Sequence, residues 1–434
     1  MRIAYITSGA AGMFCGSCLK DNALVTALIE QGHDAILVPT FTPIRTDDPD
    51  VSEHRLFMGG VNVYLQQKSW LFRHTPRFVD WLLNRPGLVN WLARRSVEAD
   101  YGQLAELTES MLKGEHGLQR KELVKLTDWL AAEVKPEVVV LTNALLSGLV
   151  PAVKRALDVP VVVTLQGDDL FLDALPAAAR KRCIDLIQGN DRDTAGYIAT
   201  SKFYADHMAD YLGISRGKIE VVYPGISLKG HGGPAEPDPT RPPTVGYFAR
   251  ISPEKGFHNL VEAFIKLRQR PDAPPAKLKA AGWLGPQHQA YLDTNRRRLE
   301  QAGLLSDFEH VDCPDHASKV RFLRSLDVLS VPTQFLEPKG LYVLEAGANG
   351  VPVVQPRHGS FPELIAATGG GVLVEPNDPN ALAAALDELL RSPGRRVELG
   401  RKGAAGVREQ FTHSVMAERT VGVLNRYVRP AVPA

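Results

Sequence analysis

The sequence predicts an α/β protein built of two Rossmann-like domains. It opens with a strand, a glycine-rich loop, a helix and a second strand. Strand-like and helix-like stretches then alternate almost to the C-terminus, and one run rich in glycine and proline divides the alternation in two. Such alternation gives parallel sheets with helices on both faces. At 434 residues the chain is too long for one ordinary core and suits two domains.

Apolar residues make up 44% and charged residues 23%, the balance of a globular protein in water. A net charge of +1 argues against bulk nucleic-acid binding, although a local basic patch stays open. A strand follows Met1 directly, without the apolar core and cleavage site of a signal peptide, and no apolar run reaches the roughly 20 residues of a membrane span. The expected compartment is the cytoplasm. Four cysteines in so long a chain do not make a disulfide framework.

The first strand, Arg2 to Thr7, empties into a loop containing Gly9, Gly12 and Gly16, and a helix through Leu24, Leu28 and Ile29 runs to Gly32 before the strand Ala35 to Val38. These glycines do not make the dinucleotide pattern G-x-G-x-x-G, and no acid ends the second strand, which argues against a nicotinamide enzyme. Cys15-Gly16-Ser17-Cys18 stands where a redox pair would stand. With Cys183 and Cys313 isolated, two small residues lining a tight loop is the preferred reading, and the role of Cys15 and Cys18 stays open. From Phe57 to Arg95 the aromatic residues Tyr64, Trp70, Phe72, Phe78, Trp81 and Trp91 interleave with Lys68, Arg73, Arg77, Arg85, Arg94 and Arg95. Packing on the first domain, acceptor binding and peripheral membrane contact through residues 68–95 are all compatible with that pattern.

Next come a helix from about Leu118 to Glu133, a strand Val138 to Thr142, a helix Ser147 to Leu157, and a strand Val161 to Leu165 that ends at Gln166-Gly167-Asp168-Asp169. A strand over Gly196 to Ser201, a helix to Leu212 and Lys218 to Gly225 complete the first series. Asp191-Arg192-Asp193 has the form of a metal-binding D-x-D, but it precedes a strand rather than ending one and reads as solvated loop acids. Residues 229–243, with eight glycines and prolines among charges, read as an interdomain linker that packs nothing.

The second series starts at Thr244 to Phe248 and delivers Arg250 and Lys255 into the loop before a helix at Leu260 to Gln269. A guanidinium and an ammonium aimed at one crevice suit a diphosphate, whereas alone they are also compatible with solvated cations. Strands at Leu278 to Ala281, Phe308 to Val311 and Val328 to Val331 alternate with helices Gln287 to Ala302 and His316 to Leu326. Glu337-Pro338-Lys339-Gly340-Leu341 then leads into Glu345. Pro338 and Gly340 break the chain before a helix-compatible run from Leu341 to Ala348, so Glu337 should lie in the turn and Glu345 in the helix. Free N–H groups at that helix start suit a phosphate, and the flanking carboxylates can accept from sugar hydroxyls. The strand Val351 to Gln355, the strand Gly371 to Val374 and closing helices follow.

The spacing of Glu337 and Glu345, the Arg250 and Lys255 loop and the Gln31-Gly32-His33-Asp34 turn together resemble retaining glycosyltransferases of the GT-B type, in particular family 4 (glycosyl transferases group 1). The resemblance covers nearly the whole chain and is most specific from Thr244 to Pro376. It implies two Rossmann-like domains facing across a cleft: an acceptor domain over 1–228, a linker over 229–243, a donor domain over 244–411, and a C-terminal helix within 412–430 that packs back on the first domain. It also implies transfer of a hexosyl unit from a nucleotide diphosphate sugar to a glycan, lipid or small-molecule acceptor, with no cofactor and no metal. Glu337, Arg250 and Lys255 take the catalytic roles in that reading. Gly12, Gly16, Gln166, Lys339, Gly340, Leu341 and Glu345 bind the donor, with Glu337 on the sugar hydroxyls and Glu345 on the ribose. Lys218 to Gly225 resembles the end of the family's first domain, where the usual ending is Pro-Asn-Gly, and three departures stand out: Gln166 replaces the usual His, Ala249 the Gly before the Arg, and Lys339 a frequent aromatic. A degenerate glycan-binding protein and a GT-B epimerase or phosphorylase are the competing readings.

Overall fold

The computed structural model describes all residues except 10–14, 54, 60–62, 64–65, 68–100, 235–239 and 429–434. Gly12 and most of the aromatic and basic segment, with its expected membrane contact at 68–95, therefore lie outside the described residues. The chain divides into two compact units, Met1–Tyr223 with His413–Ala434, and Pro224–Thr412.

The first unit holds a six-stranded sheet in the order β2-β1-β3-β4-β5-β6, from β1 (Arg2–Thr7), β2 (Asp34–Pro39), β3 (Val138–Leu141), β4 (Val161–Leu165), β5 (Gly196–Ala199) and β6 (Ile219–Val221). All its pairings are parallel. Its central strands are nearly all Val, Leu and Ile because helices cover both faces. Alternation sorts these side chains: Val139 and Leu141 join one core cluster, and Val138 and Val140 join the other. Helix α1 (Gly16–Glu30) packs on the second of these faces through Leu24 and Leu28. The C-terminal helix His413–Leu424 lies on the same face and contributes Met416, Ala417, Val423 and Leu424. Gln31 fastens it by donating to the Ser414 carbonyl at 2.8 Å.

The second unit repeats the architecture with β7 (Thr244–Phe248), β8 (Lys277–Ala281), β9 (Phe308–Val311), β10 (Val328–Leu329), β11 (Val353–Pro356) and β12 (Gly371–Val374). The order β12-β11-β10-β7-β8-β9 is, counted within the unit, the 3-2-1-4-5-6 order of a doubly wound sheet. Such a sheet reverses its winding between its first and fourth strands, here β7 and β10, and the loops leaving the carboxyl ends of those two strands part to form a crevice. The same rule picks out β1 and β3 in the first unit.

Residues 229–234 do not behave as a linker that packs nothing. His231 is buried, and its Nδ1 accepts from the Asn349 side-chain amide at 2.7 Å. Its ring meets His316 edge-on at 5.3 Å. A Cβ on Gly350 would lie 2.2 Å from the Pro234 Cα, so this segment is closely seated on the second unit. Glycine and proline shorten the side chains here, yet the backbone is still docked, the Lys229 carbonyl accepting from His316 Nε2 at 2.6 Å.

Candidate functional site

The loop after β7 and the loop after β10 carry the expected residues, and the sheet topology brings both to one crevice within the second unit. The first loop ends in a single 3-10 turn, Pro253–Lys255, followed by Gly256 with φ +73°. Gly256 presses on the second loop so closely that a Cβ there would lie 1.8 Å from the Pro332 carbonyl oxygen. The helix α2 (Phe257–Arg268) then runs back along the sheet.

Lys255 Nζ donates to Glu337 Oε2 at 2.7 Å, with the two side chains 14% and 4% exposed. The ammonium also lies 4.6 Å from the Phe335 ring centre and 5.6 Å from that of Tyr342, an aromatic seat for a charge. Burial, and to a smaller degree the charges of Arg250 and Lys339, push the Lys255 ammonium below its ordinary pKa, while Glu337 pulls it back up. The charges of Arg250 and Lys339 therefore both act on Lys255. Arg250 pairs with Glu254 at 3.1 Å. Ala249 needs no glycine conformation, since it is not among the described residues with positive φ, so its departure from the family pattern leaves the loop path intact.

Glu337 is a fully engaged carboxylate. Its Oε2 accepts from Lys255 and from the Tyr342 hydroxyl, at 2.7 and 3.2 Å, and its Oε1 accepts from the backbone N–H groups of Lys339 and Gly340, both at 3.3 Å. Burial opposes its ionisation, but the Lys255 charge and hydrogen bond, the Lys339 charge and the Gly340 N–H outweigh burial and hold the carboxyl at about 2. Gly340, with φ +62°, makes the turn into the next helix. That helix is Leu341–Ala348, so Glu337 precedes it and Glu345 lies inside it. Glu345 is buried and accepts from Lys319 Nζ at 2.8 Å. Lys319 belongs to the helix α3 (His316–Arg324), so this ion pair ties α3 to α4 (Leu341–Ala348).

In the first unit Gly16 starts α1, and Gln166 sits just past β4 with its amide turned into the protein. Its Nε2 donates to the Thr142 carbonyl at 2.8 Å and to Asp21 Oδ1 at 3.2 Å. Asp21 is fully buried and also accepts from Tyr5, Thr7 and Thr142 and pairs with Lys20 at 3.1 Å. The Gln166 amide nitrogen thus ties β4 to β3 and α1, a structural position that sequence reading did not anticipate. Asp191 and Asp193 bind Lys218 and Lys154, at 3.0 and 3.3 Å, and no cluster able to hold a metal ion occurs among the described residues. Cys15 precedes α1 and Cys18 is buried within it, and none of the four cysteines forms a disulfide.

Three participants escaped sequence reading: Tyr342, Phe335 and Lys319. Tyr342 had a signal, since a buried tyrosine in an otherwise aliphatic helix needs a partner for its hydroxyl. Lys319 had none, because its partner is 26 residues away in sequence.

Comparison with known proteins agrees with this architecture. The family described as glycosyl transferases group 1 matches residues 234–405, and glycosyltransferase family 4 matches residues 110–229. A glycogen synthase of Mycobacterium tuberculosis is 26% identical over 71% of this chain and 72% of its own. A GDP-mannose-dependent phosphatidylinositol monomannoside mannosyltransferase of Mycolicibacterium smegmatis is 28% identical over 58% of this chain and 66% of its own. Among solved structures, a sucrose-phosphate synthase from Thermosynechococcus elongatus superposes with a TM-score of 0.71 at 19% identity, covering 98% of this chain and 99% of its own. Anabaena HepE, crystallised with UDP and glucose, superposes with a TM-score of 0.67 at 15% identity, covering 98% and 100%. The chain belongs to the GT-B glycosyltransferases of group 1 and family 4.

Proposed function

We propose that this protein is a retaining, metal-independent hexosyltransferase that takes its sugar from a nucleotide diphosphate sugar and passes it to a glycan, lipid or small-molecule acceptor. The carrying observation is the buried Lys255–Glu337 ion pair at the switch point of the second sheet, with Arg250 in the loop that carries Lys255 and Lys339 in the turn that carries Glu337. When the glycosidic bond breaks, negative charge develops on the departing β-phosphate. Fixed cations stabilise that charge without reorganising, which is the work a metal ion does in other transferases. Arg250 and Lys255 take the diphosphate, with Lys339 and the N-terminal turn of α4 at Gly340 and Leu341 as further contacts. Glu345 accepts from the ribose and Glu337 from the sugar. In this reading no side chain among the described residues acts as a nucleophile: the acceptor attacks from the face the diphosphate leaves, and that phosphate takes the acceptor's proton. The complex of HepE with UDP and the GDP-mannose dependence of the mycobacterial relative support a nucleotide sugar as the donor class and leave the base open.

The test is turnover of a panel of nucleotide sugars in excess chelator, with the anomer of the released sugar followed by NMR. Retained configuration and undiminished turnover are expected, and Arg250→Ala should lower nucleoside diphosphate affinity by roughly 1.5–3 kcal/mol, the range for hydrogen bonds to charged groups. Loss of activity on chelation restored by magnesium or manganese, or an inverted product, overturns the assignment. Binding without any turnover would make the chain a glycan-binding protein on a transferase fold.

A further inference from the structure

Glu337 has two donors on each carboxylate oxygen, so a sugar hydroxyl can reach it only by replacing one of them. The two N–H groups on Oε1 belong to its own turn and move with it. On Oε2, the Tyr342 hydroxyl comes from the packed interior of α4, where the residue is 7% exposed. Lys255 is different. It reaches Glu337 along a flexible stem from the 3-10 turn of the other loop, and it shares its surroundings with Arg250 and Lys339.

Resting on the reading above, we propose that Glu337 is the resident counter-ion of Lys255 and hands the lysine over to the incoming diphosphate, while Tyr342 stays behind as a positioning residue that aims the vacated oxygen at the donor sugar. The carboxylate neutralises an ammonium that would otherwise be buried without a partner. A diphosphate carries more charge and already engages Arg250, so it competes for Lys255. Once Lys255 turns, Oε2 loses one of its two donors and can accept from a hydroxyl. The two halves of the donor are thereby coupled: the diphosphate unmasks the group that binds the sugar. The aromatic seat of Phe335 and Tyr342 keeps the ammonium charged during the exchange, since both rings face it in the paired state.

The hand-over predicts a gain where a simple contact predicts none. UDP, GDP and ADP binding is measured by titration calorimetry on the full chain for wild type, Glu337→Gln, Lys255→Met and Tyr342→Phe. Glu337→Gln removes the competing anion and should bind the preferred nucleoside diphosphate about tenfold tighter, equivalent to about 1.4 kcal/mol of competition. Lys255→Met should bind it at least tenfold more weakly. Tyr342→Phe should leave nucleoside diphosphate affinity unchanged and lower kcat with little change in KM, a split that loss of packing alone would not give. If Glu337→Gln binds no tighter while Lys255→Met still weakens binding, the hand-over is wrong and the diphosphate site stands. If no nucleoside diphosphate binds wild type, both fall. Melting temperatures of all four proteins, with and without nucleotide, identify a variant that has unfolded, and a larger nucleotide-induced rise for Glu337→Gln than for wild type supports the hand-over independently.

Discussion

Glu337 and Glu345 are both buried, yet different cations hold them: Lys255 across the crevice for one and Lys319 from α3 for the other. The pairing of Glu337 makes stability depend on pH in a definite direction. Its folded pKa of about 2 lies below the ordinary 4.5, so the unfolded chain binds the proton first as the pH falls. The stability that this carboxylate contributes is therefore complete above about 4.5 and is lost as the pH falls toward about 2. Denaturant unfolding of wild type should weaken across that window more steeply than unfolding of Glu337→Gln, which cannot titrate there. Parallel pH profiles for the two proteins would show that the carboxylate is not held by charge.

At the scale of elements, the turn Pro253–Lys255 and Gly256 set where the ammonium begins. Gly256→Ala adds a methyl to a residue with φ +73° and drives it into the Pro332 carbonyl. Left-handed strain and overpacking together should cost about 2–4 kcal/mol. The same change should weaken nucleoside diphosphate binding, because relief of the clash separates the two loops that carry Lys255 and Glu337. A variant with unchanged melting temperature and affinity would show that the loops are not coupled at this contact. These loops were legible in the sequence because each follows a strand and contains chain-breaking residues, Pro253 and Gly256 in one and Pro338 and Gly340 in the other. Their polar residues could be named for the same reason. What residues 229–234 pack against was not legible, since composition shows that the stretch lacks apolar side chains and says nothing of His231 meeting Asn349. Gln166 was legible as a departure from the family's histidine, but its inward direction depends on Asp21 and Thr142, two partners far away in sequence.

The two units of the whole molecule differ in how much of the chain each needs. The second is one continuous stretch, Pro224–Thr412, with a complete six-stranded sheet of its own. It contains Arg250, Lys255, Glu337, Lys339 and Glu345, so every side chain assigned to the nucleoside diphosphate belongs to it. The first unit is discontinuous: its sheet is covered on one face partly by Met416, Ala417, Val423 and Leu424, which arrive only after the second unit has been traversed. Residues 224–412 expressed alone should therefore unfold cooperatively and bind nucleoside diphosphate within a few-fold of the full chain, yet transfer no sugar. Residues 1–223 alone should lack the cover over Leu24 and Leu28 and be markedly less stable than the same unit with its C-terminal helix supplied, because losing large buried side chains costs roughly 2–5 kcal/mol each. Calorimetric titration and thermal unfolding of the two pieces check both halves. If the 224–412 piece is folded but does not bind the nucleotide, side chains of the first unit must share the diphosphate, and the assignment of that site to the second unit alone is wrong.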